Sequence, residues 1–120
     1  MSRLLVHIVT GPQDPTRAAL GLLVARTAVQ LGHEVDVFFA GDATGMLRPE
    51  TLEAAQGIGT GSANEHYGSL AASSGVRLFA SGMSSRARGI TGQGLPGALE
   101  MALPTRLVEL MFESDRIVTY

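Results

Sequence analysis

Two short apolar runs with one long helical stretch between them constrain this chain more than any other feature. The runs are Leu4 to Val9 and Glu34 to Ala40, and the stretch is Thr16 to Leu31. The first run is nearly unbroken in apolar residues, as a strand covered on both faces must be. Thr10-Gly11-Pro12 closes it, and Gln13-Asp14-Pro15-Thr16 opens the helix. Asp14 or Thr16 can cap the free N–H groups there, and Pro15 suits a first turn because it has no N–H to leave unpaired. Leu20, Leu23, Val24, Ala28 and Leu31 then recur at helical spacing, and Gly32 stops the helix. A strand, a long helix and a second strand make a crossover, which implies parallel pairing.

Leu22, Ala25 and Val29 widen the apolar stripe of that helix, and only Arg17, Arg26 and Gln30 clearly want water. Such breadth predicts cover on two sides, one by the sheet and the other by a second subunit. Gly41 to Gly45 reads as a loop at the carboxyl end of the second strand, and Met46 to Ala55 as a short helix with Pro49 near its start. Gln56 to Ser62 carries Gly57, Gly59 and Gly61 and reads as a mobile loop. Ala63 to Ser74 is predicted as a helix and Val76 to Ala80 as a third strand. Ser81 to Gly89 is a loop with room for one helical turn, and Ile90 to Gly97 is a further loop. Leu103 to Glu113 is a helix and Arg116 to Tyr120 a final strand. This order predicts one domain over residues 1–120, a three-layer α/β/α arrangement on a mainly parallel sheet.

Composition narrows the chemistry. The 120 residues suit a single domain, and a 45% hydrophobic fraction suits a packed core. There is no cysteine, which excludes disulfides, thiolate metal sites and thiol nucleophiles. A net charge of -2 argues against a nucleic-acid partner. No stretch approaches the ~20 apolar residues of a membrane span, and the apolar run near the start is too short for a secretory signal. A cytoplasmic protein without membrane association is expected.

In open parallel sheets, ligands bind beyond the carboxyl ends of the strands. Topology therefore brings together Thr10 to Thr16, Gly41 to Gly45 and Ser81 to Gly89. The last is the most polar, with Ser81, Gly82, Ser84, Ser85, Arg86 and Arg88 in nine residues. Hydroxyls, glycine-permitted N–H groups and two guanidinium groups can hold a carboxylate or phosphate. The same residues also fit an ordinary capped turn with two surface arginines. Thr10, Gly11 and Asp42 are the candidate contacts from the other two loops; in the Thr10 to Thr16 loop a capping role is favoured over ligand contact, and both can hold together. Of three histidines, His7 lies inside a strand and His33 in a turn. His66 alone falls near a segment that can reach the site, as acid, base or ligand. No second histidine stands at ligand spacing, so neither a metal nor another cofactor is expected. Neither a nucleophile elbow nor a Walker A segment is present.

The pattern as a whole resembles the DsrE/DsrF-like family of small sulfur-relay proteins. The resemblance rests on Thr10-Gly11-Pro12-Gln13-Asp14-Pro15-Thr16-Arg17-Ala18, on Gly32 to Phe39, on Gly41-Asp42-Ala43, on Val76 to Ile90 with its Arg88-Gly89 pair, and on Ser114 to Tyr120. It implies a five-stranded, mainly parallel sheet and assembly into dimers, trimers or hexamers. In sulfur-relay members a cysteine before the Arg-Gly motif carries a persulfide, and Ser81 stands at that position here. A hydroxyl cannot form a persulfide, so the expected role is non-catalytic: a small-anion-binding or assembly subunit rather than an enzyme. The alternative is an enzyme of different chemistry, using Ser81 or His66 as a catalytic group.

Overall fold

The computed structural model describes residues 2–120. Strand β1 (Arg3–Ile8), helix α1 (Pro15–Gln30) and strand β2 (Glu34–Phe39) form the expected crossover, with β1 and β2 parallel from Arg3 opposite Glu34 to Ile8 opposite Phe39. Asp14 is the cap: its Oδ1 accepts from the Arg17 N–H at 3.1 Å, and Pro15 occupies the first turn. A 3-10 segment (Gly41–Met46) follows where a loop was expected, and then α2 (Pro49–Ala54). Helix α3 (Ala63–Ala71), strand β5 (Val76–Ser81), helix α4 (Gly82–Ala87), strand β6 (Leu99–Ala102), helix α5 (Pro104–Glu113) and strand β7 (Arg116–Thr119) complete the chain, and a hairpin of β3 (Gln56–Gly57) and β4 (Gly61–Ser62) precedes α3.

The main sheet has five strands in the order β6-β5-β2-β1-β7, all parallel. Strand β6 was not anticipated. It has four residues, Leu99-Glu100-Met101-Ala102, and it exists because β5 offers a free edge. Side chains alternate across the sheet. Val6, Ile8, Val35, Val37, Phe39, Leu78 and Ala80 face α1, α2 and α3, and Leu5, Phe38, Phe79 and Ala102 face Leu110 of α5.

The buried face of α1 is Ala18, Ala19, Leu22, Ala25 and Ala28, set against the sheet, α3 and the hairpin, while Leu20, Leu23 and Val24 are partly exposed and Leu31 is exposed. One expectation needs correction. The glycine-rich stretch 56–62 is built rather than loose. Gly59 and Gly61, at φ 75 and 80, allow the tight return that a Cβ would strain. Thr60 Oγ1 donates to the Thr16 carbonyl at 2.9 Å, and the Ile58 N–H donates to Thr16 Oγ1 at 3.0 Å.

A charge cluster unforeseen from the sequence crosses the α5 face. Asp36 is fully buried on β2 and accepts from Arg77 Nε at 2.7 Å and Arg77 Nη2 at 2.8 Å on β5. It also accepts from Arg3 Nη1 at 3.2 Å on β1. Burial of a carboxylate is tolerable only with such partners. The Arg77 guanidinium also reaches Glu113 of α5, at 3.6 Å, so the cluster ties three strands and a helix.

Candidate functional site

Strands β5, β2 and β1 lie side by side and parallel, so the segments leaving their carboxyl ends must meet. Contact between the segments after β1 and β2 is backbone on backbone: a Cβ on Gly11 would run into the Asp42 carbonyl. Hydrogen bonds join all three. Arg88 Nη2 donates to Asp42 Oδ1 at 2.7 Å, and Gln13 Nε2 to Asp42 Oδ2 at 3.4 Å. The Gly41 N–H donates to Ser84 Oγ at 3.0 Å, and the Ser84 N–H to Ser81 Oγ at 3.1 Å. Arg88 Nη1 also donates to the Ser84 carbonyl, at 3.2 Å. Thr10 is held through its backbone N–H, which donates to the Tyr120 carbonyl at 3.3 Å.

The expected site residues thus divide into two groups. Gly11, Asp42, Ser81, Ser84 and Arg88 form a closed cluster whose polar atoms largely satisfy each other, with Thr10 beside it. Gly82, Ser85 and Arg86 instead line an open cavity of about 470 Å³ between α4 and β6. Ile90, Thr91 and Met101 line it too, and sequence reasoning missed them. Met101 was invisible because β6 was, and Ile90 stood in a segment read only as loop. Within this cavity, Ser85 is 2% exposed and its hydroxyl has no hydrogen-bond partner.

The catalytic candidates lie apart. The Ser81 hydroxyl caps α4, and no base among the described residues bonds to it. On β5 Ser81 stands two residues from Phe79 and so on the same, α5 face, whereas His66 sits on α3, across the sheet. His66 is buried, with Nε2 2.8 Å from the Thr60 carbonyl and Nδ1 3.3 Å from Arg26 Nη1. A carbonyl can only accept, so Nε2 carries the proton and Nδ1 faces the guanidinium as acceptor. This histidine fastens the hairpin to α3 and α1. His7 is half-buried on β1, and burial pushes its pKa below the ordinary imidazole value. His33 is exposed.

A five-stranded parallel sheet flanked by helices, with three strand-end segments locked together, defines a small α/β protein of the open parallel-sheet class. The chain belongs to the DsrE/DsrF-like family, whose model matches residues 3–120. Seven chains of solved structures match it, among them the ychN protein from E.coli, which is 16% identical over all of both chains with a TM-score of 0.84. At that identity the likeness speaks for the fold. No curated protein sequence matches. Among the described residues no helix is long and apolar enough to cross a membrane.

Proposed function

We propose that this chain is a non-catalytic member of its family that binds a small anion beside α4 and works as a homo-oligomer in the cytoplasm. The observation that carries the reading is how the polar groups are spent. Arg88 is paired with Asp42 and the serines 81 and 84 are bonded to backbone, while Arg86 is exposed at the rim of an open cavity with no ion pair among the described residues. A free guanidinium beside a concave surface is suited to a carboxylate or oxyanion. Without cysteine, no persulfide can form on the chain, and Ser81, at the position the family resemblance gives to the sulfur carrier, is occupied as a helix cap. That occupancy weighs against the alternative of a Ser81 enzyme, and the position of His66 across the sheet weighs against a Ser81–His66 pair.

Assembly is supported by apolar surface on α5, on its cap Leu103 and on β7: Leu103, Val108, Phe112 and Ile117 are exposed, Phe112 at 89%. Titration calorimetry of sulfate, phosphate and simple carboxylates into the chain tests the binding reading. Binding that Arg86→Gln weakens supports it. Absence of heat for all three anions overturns it.

A further inference from the structure

We infer that the cavity between α4 and β6 takes a small amphipathic monoanion, a carboxylate on a short apolar tail, in preference to a bare inorganic oxyanion. This rests on the anion-binding reading above and names the class of anion. The volume of about 470 Å³ is that of a site for a small organic molecule, and sulfate or phosphate would occupy little of it. Its walls are of mixed character. Ile90 and Met101 are apolar, and Gly82 and Gly89 add no side chains, which keeps the space open. Arg86 is the one charged side chain among the lining residues, so the charge to be matched is single.

Ser85 supplies the second polar contact. It is 2% exposed, and its hydroxyl has no partner within the chain. A buried hydroxyl without a partner is costly, and native proteins seldom keep one. The Ser85 Oγ is covered in the free chain, so a carboxylate in this cavity accepts from it once the side chain turns to another staggered rotamer, and it can then accept from the Arg86 guanidinium as well; such charge-assisted bonds are the stronger kind. The tail then lies along Ile90 and Met101. The Arg88 guanidinium is already held by Asp42 at 2.7 Å, so the cavity lacks the second cation that a dianionic phosphate would need.

The test is calorimetry on the full chain with straight-chain carboxylates from acetate to octanoate, with octanamide, sulfate and phosphate alongside. Affinity is expected to rise about two- to fourfold per methylene until the cavity is full. Octanamide and the inorganic anions should bind at least about tenfold more weakly than the best carboxylate. Arg86→Gln should remove the preference for carboxylate over amide. Met101→Glu, at a position 39% exposed and therefore tolerant, should abolish the gain with chain length. Ser85→Ala should weaken binding about threefold or more while the melting midpoint of the free protein holds or rises. A serine of purely structural importance would move the midpoint alone. Equal binding of sulfate and of every carboxylate overturns the amphipathic assignment and leaves anion binding standing. A gain with chain length that survives in Arg86→Gln and Met101→Glu places the tail elsewhere and also overturns it. If no anion binds, both readings fall together.

Discussion

Gly11 and Gly68 show how differently one residue type is used. Gly11 lets the segment after β1 touch the backbone at Asp42, where a Cβ would collide with a carbonyl that cannot swing away. Gly68 lies inside α3 with nothing within 4 Å of a Cβ built on it. Gly11→Ala is expected to destabilise the protein by about 2 kcal/mol or more, as overpacking against backbone does. Gly68→Ala should stabilise it by about 0.5–1 kcal/mol by improving a helix interior. Urea midpoints measure both. Tyr67 offers a pH test. It is fully buried, its hydroxyl has no partner, and burial pushes its pKa up to about 12. The unfolded chain releases that proton near its ordinary value of about 10. Stability tied to the neutral phenol is therefore complete below pH 10 and is lost as pH rises from 10 to 12, by about 2–3 kcal/mol. Tyr67→Phe should flatten this alkaline arm without lowering stability at neutral pH, because it removes an unpartnered buried hydroxyl.

At the scale of elements, long-range pairing did what local pattern could not announce. The crossover of β1, α1 and β2 was legible because apolar spacing and Asp14-Pro15 act locally. The hairpin was not, since Gly57, Gly59 and Gly61 look loose until Thr16, about forty residues away in the chain, supplies two acceptors, its hydroxyl and its carbonyl. Thr16→Val removes the hydroxyl that the Ile58 N–H uses. It should abolish exchange protection of the Ile58 amide, at a global cost of about 1 kcal/mol, read by hydrogen exchange and urea melts. The meeting of three strand ends at one place followed from topology. The division of that place into a closed cluster and an open cavity did not, because it depends on Arg88 finding Asp42 and on β6 joining the edge of β5. Asp36 carried a signal, a lone carboxylate inside an apolar strand, but its partners on β1 and β5 could be paired only with the register in hand. Asp36→Ala would leave two arginines facing each other on the sheet. Since both are partly exposed, the expected loss is about 2–3 kcal/mol, below that of a fully buried pair.

On the scale of the whole molecule, apolar cover is uneven. Three helices bury one face of the sheet, while the other is packed by α5 alone, and the outer residues of α5 stay exposed. If copies of the chain assemble through α5, Phe112→Asp should shift the sedimentation of the protein toward the monomer at micromolar concentration, with little change in the melting of the isolated fold. The sheet order has another consequence. The last strand, β7, lies against the first, β1, and is held there by bonds such as Arg3 N–H to Asp115 Oδ2 at 2.8 Å and Val9 N–H to the Tyr120 carbonyl at 2.7 Å. Strand β1 is made before every other strand of the sheet and waits for a neighbour that the ribosome delivers more than a hundred residues later. Until residues 116–119 emerge, a growing chain carries an open strand edge flanked by apolar side chains. Nascent chains stalled short of β7 should therefore be the aggregation-prone and chaperone-dependent species.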